Sequence, residues 1–339
     1  MRIKFDLSII IPSGLSILFM MACNLSIAQD FKITTSLGGS NYQGDLSNGY
    51  ISGIGPAGSV GLTYDLYDNF RLRANLSFLQ VGADDSKSPK AAIKNRNLEF
   101  KTDIIELSLL GEIDLLKSED YTLVPYLFAG PSLYHFNPYT TVKQSDVIHA
   151  TNQLNLPAGT VKVGQKVYLH DIGTEGQLIK GLESSGGKNY NLTQLNIQLG
   201  AGVRYKISEG ISVGYEFSFR KLFTDYLDDV SSRNYISKDS WDKEIASAIA
   251  ANNPSRAKLL KEGEILSFRL LDSKGNPKPL VQGPPRGNPT ANDAYFSSQV
   301  RLSFTLFSKS DKASLGNNKM FSPSNPTGRG QLNCPKVFF

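Results

Sequence analysis

The side chains that could act as metal ligands or as catalytic acids and bases are few, and most are badly spaced for either task. Three histidines are present, and none stands at the spacing of a zinc site: His135, His149 and His170. The segment "FTDYLDDVSS" holds Asp225, Asp228 and Asp229, whose carboxylate oxygens are ligands of the kind that calcium takes. The same cluster also fits the capped, solvated start of a loop. We therefore predict no catalytic residue, no cofactor and no metal site, with these aspartates as the only weak metal candidates.

Charged side chains occur instead at alternate positions of strand-like segments. In "QLNIQLGAGVRYKI", residues 194–207, apolar side chains such as Leu195 and Leu199 take every second place. Polar or small residues, including Arg204 and Lys206, take the places between. Because successive side chains of a strand point to opposite faces, this segment predicts one long strand with an apolar face and a polar face.

The same alternation recurs along the chain, with connections of two kinds. We predict eight strands: 31–37, 57–66, 70–81, 103–115, 122–136, 194–207, 211–220 and 297–307. Three connections are short, and the four others, at about 41–56, 82–97, 138–190 and 225–292, are long. Short turns at one end and long loops at the other are typical of outer-membrane barrels. The sequence therefore predicts an all-β fold, an eight-stranded antiparallel up-and-down transmembrane β-barrel with long extracellular loops.

Alternation alone leaves two orientations open for the apolar face. A soluble lipocalin-like barrel turns that face inward around a ligand, whereas a membrane barrel turns it toward lipid. Charges of both signs on the polar face suit a narrow lumen, and aromatic residues near strand ends, such as Phe78 and Phe136, suggest interfacial girdles. We therefore predict a lipid-facing exterior and a lumen plugged by a charge network: Arg71, Arg73, Glu106, Glu112, Arg204, Glu216, Arg220 and Arg301.

The two ends of the chain differ from its middle. Arg2 and Lys4 precede an apolar run and "SIAQ" offers a cleavage site, so residues 1–28 predict a signal peptide, with lipidation of Cys23 as the alternative. Residues 29–308 then form the barrel, and residues 309–339 form a polar, basic tail that we expect in the periplasm. Its candidates for docking a partner are Lys309, Lys312, Lys319, Arg329, Cys334 and Pro335.

Composition excludes two classes of protein. The chain is 40% hydrophobic and 20% charged, which rules out a wholly disordered protein. Its formal charge of +5 is mild, and no basic run is interleaved with aromatic residues, so we expect no nucleic-acid partner. The last long loop also holds one helix signal, "SWDKEIASAIA", with Ser240 as the expected cap and Pro254 as the interruption that follows.

Several segments together resemble one family of membrane barrels. They are "LGGSNYQGDL" (37–46), "NLEFKTDIIELSLLGE" (97–112), "PYLFAG" (125–130), "YHFNP" (134–138), "GTEGQ" (173–177), "FRKLFTDYLDDVSS" (219–232), "RGNPTANDAYF" (286–296) and the terminal "CP". The set resembles the PorG-like outer-membrane barrels of Bacteroidetes. That resemblance implies a link to the type IX secretion system, in which the barrel is associated with a periplasmic ring built by the PorK lipoprotein and PorN.

The expected function follows from the barrel and the resemblance together. We expect a non-enzymatic outer-membrane anchor or assembly component of type IX protein secretion, in contact with outer-membrane lipid and with PorK/PorN-like ring proteins. A surface-exposed structural or adhesion barrel is the alternative, and a small-solute pore is a weaker one because the lumen carries charges of both signs. No small-molecule substrate is expected.

Overall fold

All eight alternating segments form strands of one sheet. The computed structural model describes residues 31–46, 53–116, 121–182, 189–208, 210–232, 234–279, 286–288 and 290–307. Eight long strands are present: β1 (Phe31–Gln43), β2 (Gly55–Tyr67), β3 (Phe70–Asp84), β4 (Glu99–Asp114), β5 (Leu123–Phe136), β8 (Thr193–Lys206), β9 (Ile211–Leu222) and β10 (Ala294–Phe307). Two further strands are short, β6 (Tyr139–Thr141) and β7 (Lys166–Tyr168).

The long strands close into a barrel. Hydrogen-bonded neighbours follow the order β3-β2-β1-β10-β9-β8-β5-β4, and a further antiparallel pairing of β3 with β4 joins the two ends. In that last pair Arg71 lies opposite Glu112, and Phe78 lies opposite Ile105. The eight-stranded antiparallel barrel that the alternation predicts is confirmed. The short strands β6 and β7 extend the sheet beyond the edge of β4 at the end that carries the long loops.

The apolar face lies on the outside of the barrel. Leu107 and Leu195 are 58% and 60% exposed, whereas their neighbours Glu106 and Asn196 are buried inside. A soluble barrel would show the reverse, so the lipocalin-like alternative is wrong and the fold is that of a transmembrane barrel, whose closed sheet pairs backbone groups without water. The expected girdle position of Phe136 is also wrong, because this residue takes an inward position of β5 and is fully buried.

The described parts of the long connections fold into a structure that we call the loop cap, within residues 44–46, 53–54, 85–98, 137–182, 189–192, 223–232, 234–279, 286–288 and 290–293. Its helices are α1 (Ala91–Arg96), α2 (Gln144–Asn152), α3 (Leu169–Ile172), α4 (Lys238–Ala250) and α5 (Pro254–Ser267), with a 3₁₀ turn at Asp85–Lys87. The predicted helix is present as α4, but its N-cap is Ser237, whose side chain accepts a hydrogen bond from the backbone of Ser240. In the described part of the chain, no helix is long and apolar enough to cross a bilayer.

The main hydrophobic core joins the barrel to the loop cap. Inward side chains at the loop end of the strands, such as Phe100 and Phe136, belong to the same buried cluster as Leu227 and Ile265 of the loop cap. A smaller cluster around Trp241 and its neighbours packs α4 against α5. The loop cap is therefore packed on the barrel lumen by apolar burial, and both lie within the compact unit Asp30–Leu306.

Candidate functional site

The turn end of the lumen holds a dense group of ion pairs, which we call the turn-side cluster. Its members are four arginines, one lysine and four acids on inward positions of the strands: Lys32, Asp65, Arg71, Arg73, Glu112, Asp114, Arg204, Glu216 and Arg301. Glu112 lies at its centre, with Oε1 2.7 Å from Nη1 of Arg204 and Oε2 3.0 Å from Nη1 of Arg301. The alternation brings all of these side chains to the inner face, and the barrel closure brings them together.

The turn-side cluster holds five cations and four acids, and Asp65 pairs with both Lys32, at 2.6 Å, and Arg71, at 2.9 Å. Glu112 also lies 3.2 Å from Arg73 and 3.3 Å from Arg71, so one carboxylate serves four guanidinium groups. Glu216 bonds Arg73 at 2.6 Å and Arg301 at 2.7 Å, and it accepts a hydrogen bond from the hydroxyl of Tyr126 at 2.6 Å. Buried charges need this pairing, because each one has lost its hydration.

A second polar group, the loop-side cluster, lies nearer the loop cap and consists of Glu106, Arg220, Asn196 and Tyr295. Arg220 pairs with Glu106 at 3.2 Å, while Tyr295 and Asn196 donate to the other oxygen of Glu106 at 2.6 and 2.9 Å. Within the predicted charge network, the partner of Arg220 is therefore Glu106, whereas Glu216 pairs with Arg73 and Arg301 in the turn-side cluster.

Bulky side chains fill the lumen as well. Leu110, Tyr126 and Phe128 form a small buried cluster inside the barrel, and the guanidinium of Arg73 stacks on the ring of Phe128 at 4.3 Å. A shallow cavity of about 180 Å³ opens at the turn end, beside Lys32, Arg204 and Lys206. An eight-stranded barrel is just wide enough for its side chains to fill it. The barrel is therefore plugged by the ion pairs of the turn-side cluster together with these bulky side chains.

Three buried arginines tie the loops of the cap to one another. Arg96 bonds the carboxylate of Asp85 at 2.6 Å and the backbone oxygen of Arg286 at 2.7 Å. Arg286 in turn pairs with Glu175 at 3.1 Å, and Arg269 makes a bidentate pair with Asp146. Each of these arginines bonds a segment that is distant in sequence or in a different loop. Spacing could not have predicted the pairs of Arg269 and Arg286, because their acidic partners lie more than 100 residues away.

The candidate metal ligands lie in the loop cap but do not form a metal site. The hydroxyl of Tyr42 lies 2.6 Å from Asp228 and 2.7 Å from Asp293, and both carboxyls are fully buried or nearly so. A phenol carries a single hydrogen, so both contacts are hydrogen bonds only when one carboxyl is protonated and donates to the phenol oxygen. Burial raises the pKa of Asp228 and of Asp293 well above the usual range, which favours that proton.

The other two aspartates have separate partners. Asp229 accepts hydrogen bonds from the hydroxyls of Thr174 and Tyr190, and burial raises its pKa to about 6. Burial raises the pKa of Asp225 to about 7, and the nearby charge of Asp45 acts in the same direction. Across the described residues, no group of three or more histidine, cysteine, aspartate or glutamate side chains is arranged to hold a metal ion. The cluster is a set of buried acids inside the loop cap.

The three histidines lie in different surroundings. His135 shares a hydrogen bond with Thr193 at 2.9 Å on the outer face of the barrel, and His170 lies 3.1 Å from the backbone oxygen of Tyr190. His149 is buried beside Phe268, where burial lowers its pKa. The docking candidates Lys309, Lys312, Lys319, Arg329, Cys334 and Pro335, with the expected signal peptide, lie outside the described residues.

Comparisons with known proteins give one family and several barrels. No curated protein matches the chain. Neisserial surface protein A is 9% identical at a TM-score of 0.36, over 81% of this chain and 97% of its own. A major outer membrane protein from Thermus thermophilus is 12% identical at a TM-score of 0.38, over 82% and 100%. OprG from Pseudomonas aeruginosa is 8% identical at a TM-score of 0.33, over 83% and 97%.

The family match covers just over half of the chain. It runs over residues 14–186, from the apolar N-terminal segment through β1 to β7 and the helices α1 to α3. These residues hold the centre of the turn-side cluster, Glu112, together with Arg71 and Arg73. The chain belongs to the family described as "Domain of unknown function (DUF6089)".

Proposed function

We propose that the protein is a non-enzymatic outer-membrane barrel that serves as an anchor or assembly component of type IX protein secretion. The observation that carries this proposal is the filled lumen, in which the turn-side cluster pairs five cations with four acids around Glu112. A channel for solutes needs a hydrated path, whereas this lumen is occupied by paired charges and bulky side chains. A plugged barrel of this size favours anchoring over transport.

The placement in the outer membrane is part of the proposal. The outer face of the barrel is apolar along all of its long strands, as lipid contact requires, and the expected signal peptide would direct export. The loop cap then faces the cell exterior, and the short turns face the periplasm. The last strand, β10, ends at Phe307 at the turn end, on the side where a periplasmic ring would stand.

The secretion role is supported by the segments that resemble PorG-like barrels. The resemblance includes "FTDYLDDVS", which builds the buried acid cluster of the loop cap, and "NLEFKTDIIELSLLGE", which supplies Glu106 and Glu112. In this proposal PorK/PorN-like ring proteins are the partners, and the basic tail attracts them. The attraction of a basic segment for an acidic partner weakens with salt.

A surface barrel for adhesion is the second candidate, and the loop cap favours it. Buried ion pairs and a shared apolar core give the loop cap a defined surface that could be presented to a partner outside the cell. The two candidates place the partner at different ends of the barrel. Anchoring uses the turn end and the tail, whereas adhesion uses the loop cap.

Removal of the tail separates the two candidates. A variant lacking residues 309–339 should still form a heat-modifiable barrel, lose co-purification with the periplasmic ring and impair secretion of cargo. A matched variant keeps the length but replaces Lys309, Lys312, Lys319, Arg329 and Lys336 with Gln, and it should show a weaker form of the same loss. Normal secretion and an unchanged set of partners in the tail-less strain would contradict the docking role.

A further inference from the structure

A row of outward side chains crosses four strands just beyond the apolar band of the barrel. Gly82 of β3 lies opposite Lys101 of β4, Lys101 lies opposite Tyr139 of β6, and Tyr139 lies opposite Tyr168 of β7. The apolar band on these strands ends at the pair of Phe78 and Ile105. Because Lys101 is four residues beyond Ile105 on a tilted strand, the row lies about 10 Å above the band, at headgroup height.

The glycine leaves a notch in this row. A cavity of about 280 Å³ is bordered by Gly53, Ile54, Gly55 and Gly82, and its charged lining residues are two lysines and two acids: Lys87, Lys101, Asp84 and Glu99. A β-carbon on Gly82 would stand 2.6 Å from the backbone oxygen of Phe100, and one on Gly55 would stand 1.8 Å from that of Gln80. The glycines therefore allow the strands to approach, and the space above them stays open. Ile54, which is 72% exposed, gives the notch one apolar wall.

The charged groups around the notch and along the row are four lysines and three acids: Lys87, Lys101, Lys143 and Lys166, and Asp84, Glu99 and Asp103. Lys143 forms ion pairs with two of the acids, because its ammonium lies 3.4 Å from Asp84 and 3.0 Å from Glu99. Asp103 accepts a hydrogen bond from Gln80 at 2.6 Å. Within the described residues, Lys87 and Lys101 have no ion-pair or hydrogen-bond partner, and Lys166 only stacks on the rings of Tyr139 and Tyr168, at 3.5 and 5.0 Å.

We infer that this row, Gly82–Lys101–Tyr139–Tyr168 with Lys87 and Lys166, is a binding site for the headgroup of a phosphorylated glycolipid in the outer leaflet. The inference rests on the outer-membrane location proposed above. The three lysines supply cations for phosphate, and Asp103 and Gln80 supply polar groups for sugar hydroxyls. The exposed ring of Tyr168 offers a face for the sugar, and Ile54 borders the first part of an acyl chain.

The composition of the row distinguishes this lipid from a simple anionic phospholipid. A site for phosphate alone needs only cations, and carboxylates beside them would weaken it. Asp103 lies beside the lysines and has no lysine partner in the described residues, and aromatic rings lie in the same row. Cations, polar acceptors and rings together match a headgroup that carries both phosphates and hydroxyls. Such a lipid is held at this height by its own membrane, so the site needs no other partner.

The test is a lipid titration of the purified full chain in neutral detergent, measured by native mass spectrometry. The probe is a bis-phosphorylated disaccharide lipid, and the competitor is phosphatidylglycerol. The wild type should bind one molecule of the probe, and the variant K87Q/K101Q/K166Q should bind it at least about tenfold more weakly. The control variant K243Q/K258Q/K274Q removes three exposed lysines of the loop cap and should bind as the wild type does. The variant Y168A should weaken binding of the probe but not of phosphatidylglycerol.

Two results would overturn the inference. One is equal binding by K87Q/K101Q/K166Q and by the control variant, both shown to be folded by heat-modifiable mobility. The other is phosphatidylglycerol that displaces the probe at equal concentration, which would mean that charge alone is recognised. Failure of the secretion proposal would appear in the tail-deletion experiment, which does not involve these lysines, so the two outcomes are distinguishable.

Discussion

Replacement of Glu112 by Gln should destabilise the barrel strongly, because this carboxylate serves four arginines at once. The substitution keeps the shape of the side chain and removes its charge, which leaves four guanidinium groups and the ammonium of Lys32 against three acids. Loss of one partner from a buried ion pair costs about 3–5 kcal/mol. Asp114 and Glu216 still pair with the arginines, so we expect the lower end, about 3 kcal/mol. That is a large share of the roughly 5–15 kcal/mol of a typical domain.

The measurement is urea unfolding of the barrel in detergent, followed by the mobility difference between folded and unfolded protein. The control variant D103N lies on the same strand but points outward, and its cost should stay within about 0.5 kcal/mol. The double variant E112Q/R204Q restores the net charge of the wild-type cluster, so it should lose at least about 1 kcal/mol less than the two single variants together. Two results would refute the central role of Glu112. One is a loss of unfolding free energy in E112Q no greater than that in D103N, and the other is a loss in E112Q/R204Q equal to the sum of the two single variants.

Three further predictions use other parts of the molecule. The variant R220L should also lose about 3 kcal/mol in the same assay, because Glu106 would be left without its cation, and an unchanged unfolding midpoint would contradict this. Burial raises the pKa of Asp229 to about 6 and that of Asp225 to about 7, so the folded loop cap favours the protonated carboxyls. Their contribution to stability is complete below about pH 4, and it is lost as the pH rises through 6 to 7. Amide exchange over 226–232, corrected for the intrinsic rate, should therefore be slower at pH 5 than at pH 8, and the opposite order would disprove it. Protease added to intact cells should cut within 138–190 or 225–292, and cleavage at 67–69 would invert the topology.

The barrel was predictable from sequence because its two faces differ along each strand. The alternation located every long strand, but it ended too early at the loop end, where β3 continues to Asp84 rather than 81. Beyond Phe78 the outward residues are Gln80 and Gly82, so the apolar signal stops while the hydrogen-bonded ladder goes on. The short strands β6 and β7 were missed because three residues are too few to show a period.

Pairing within the lumen was harder to predict than its composition. Alternation places a side chain on the inner face, but which charges meet depends on the register and on closure between β3 and β4. Arg220 meets Glu106, 114 residues earlier, and no local spacing encodes that distance. The loop cap shows the same limit, because Arg269 meets Asp146 only after the long loops have packed on one core.

A lumen that is filled rather than open is the central claim about this molecule. The decisive measurement is ion conductance of the purified full chain in a planar lipid bilayer, with folding shown by heat-modifiable mobility and insertion by co-flotation with liposomes of the same lipid. We expect no steady conductance, because paired charges and bulky side chains occupy the turn-side and loop-side clusters and the space between them. A stable unitary conductance of defined size in the wild type would contradict the filled lumen.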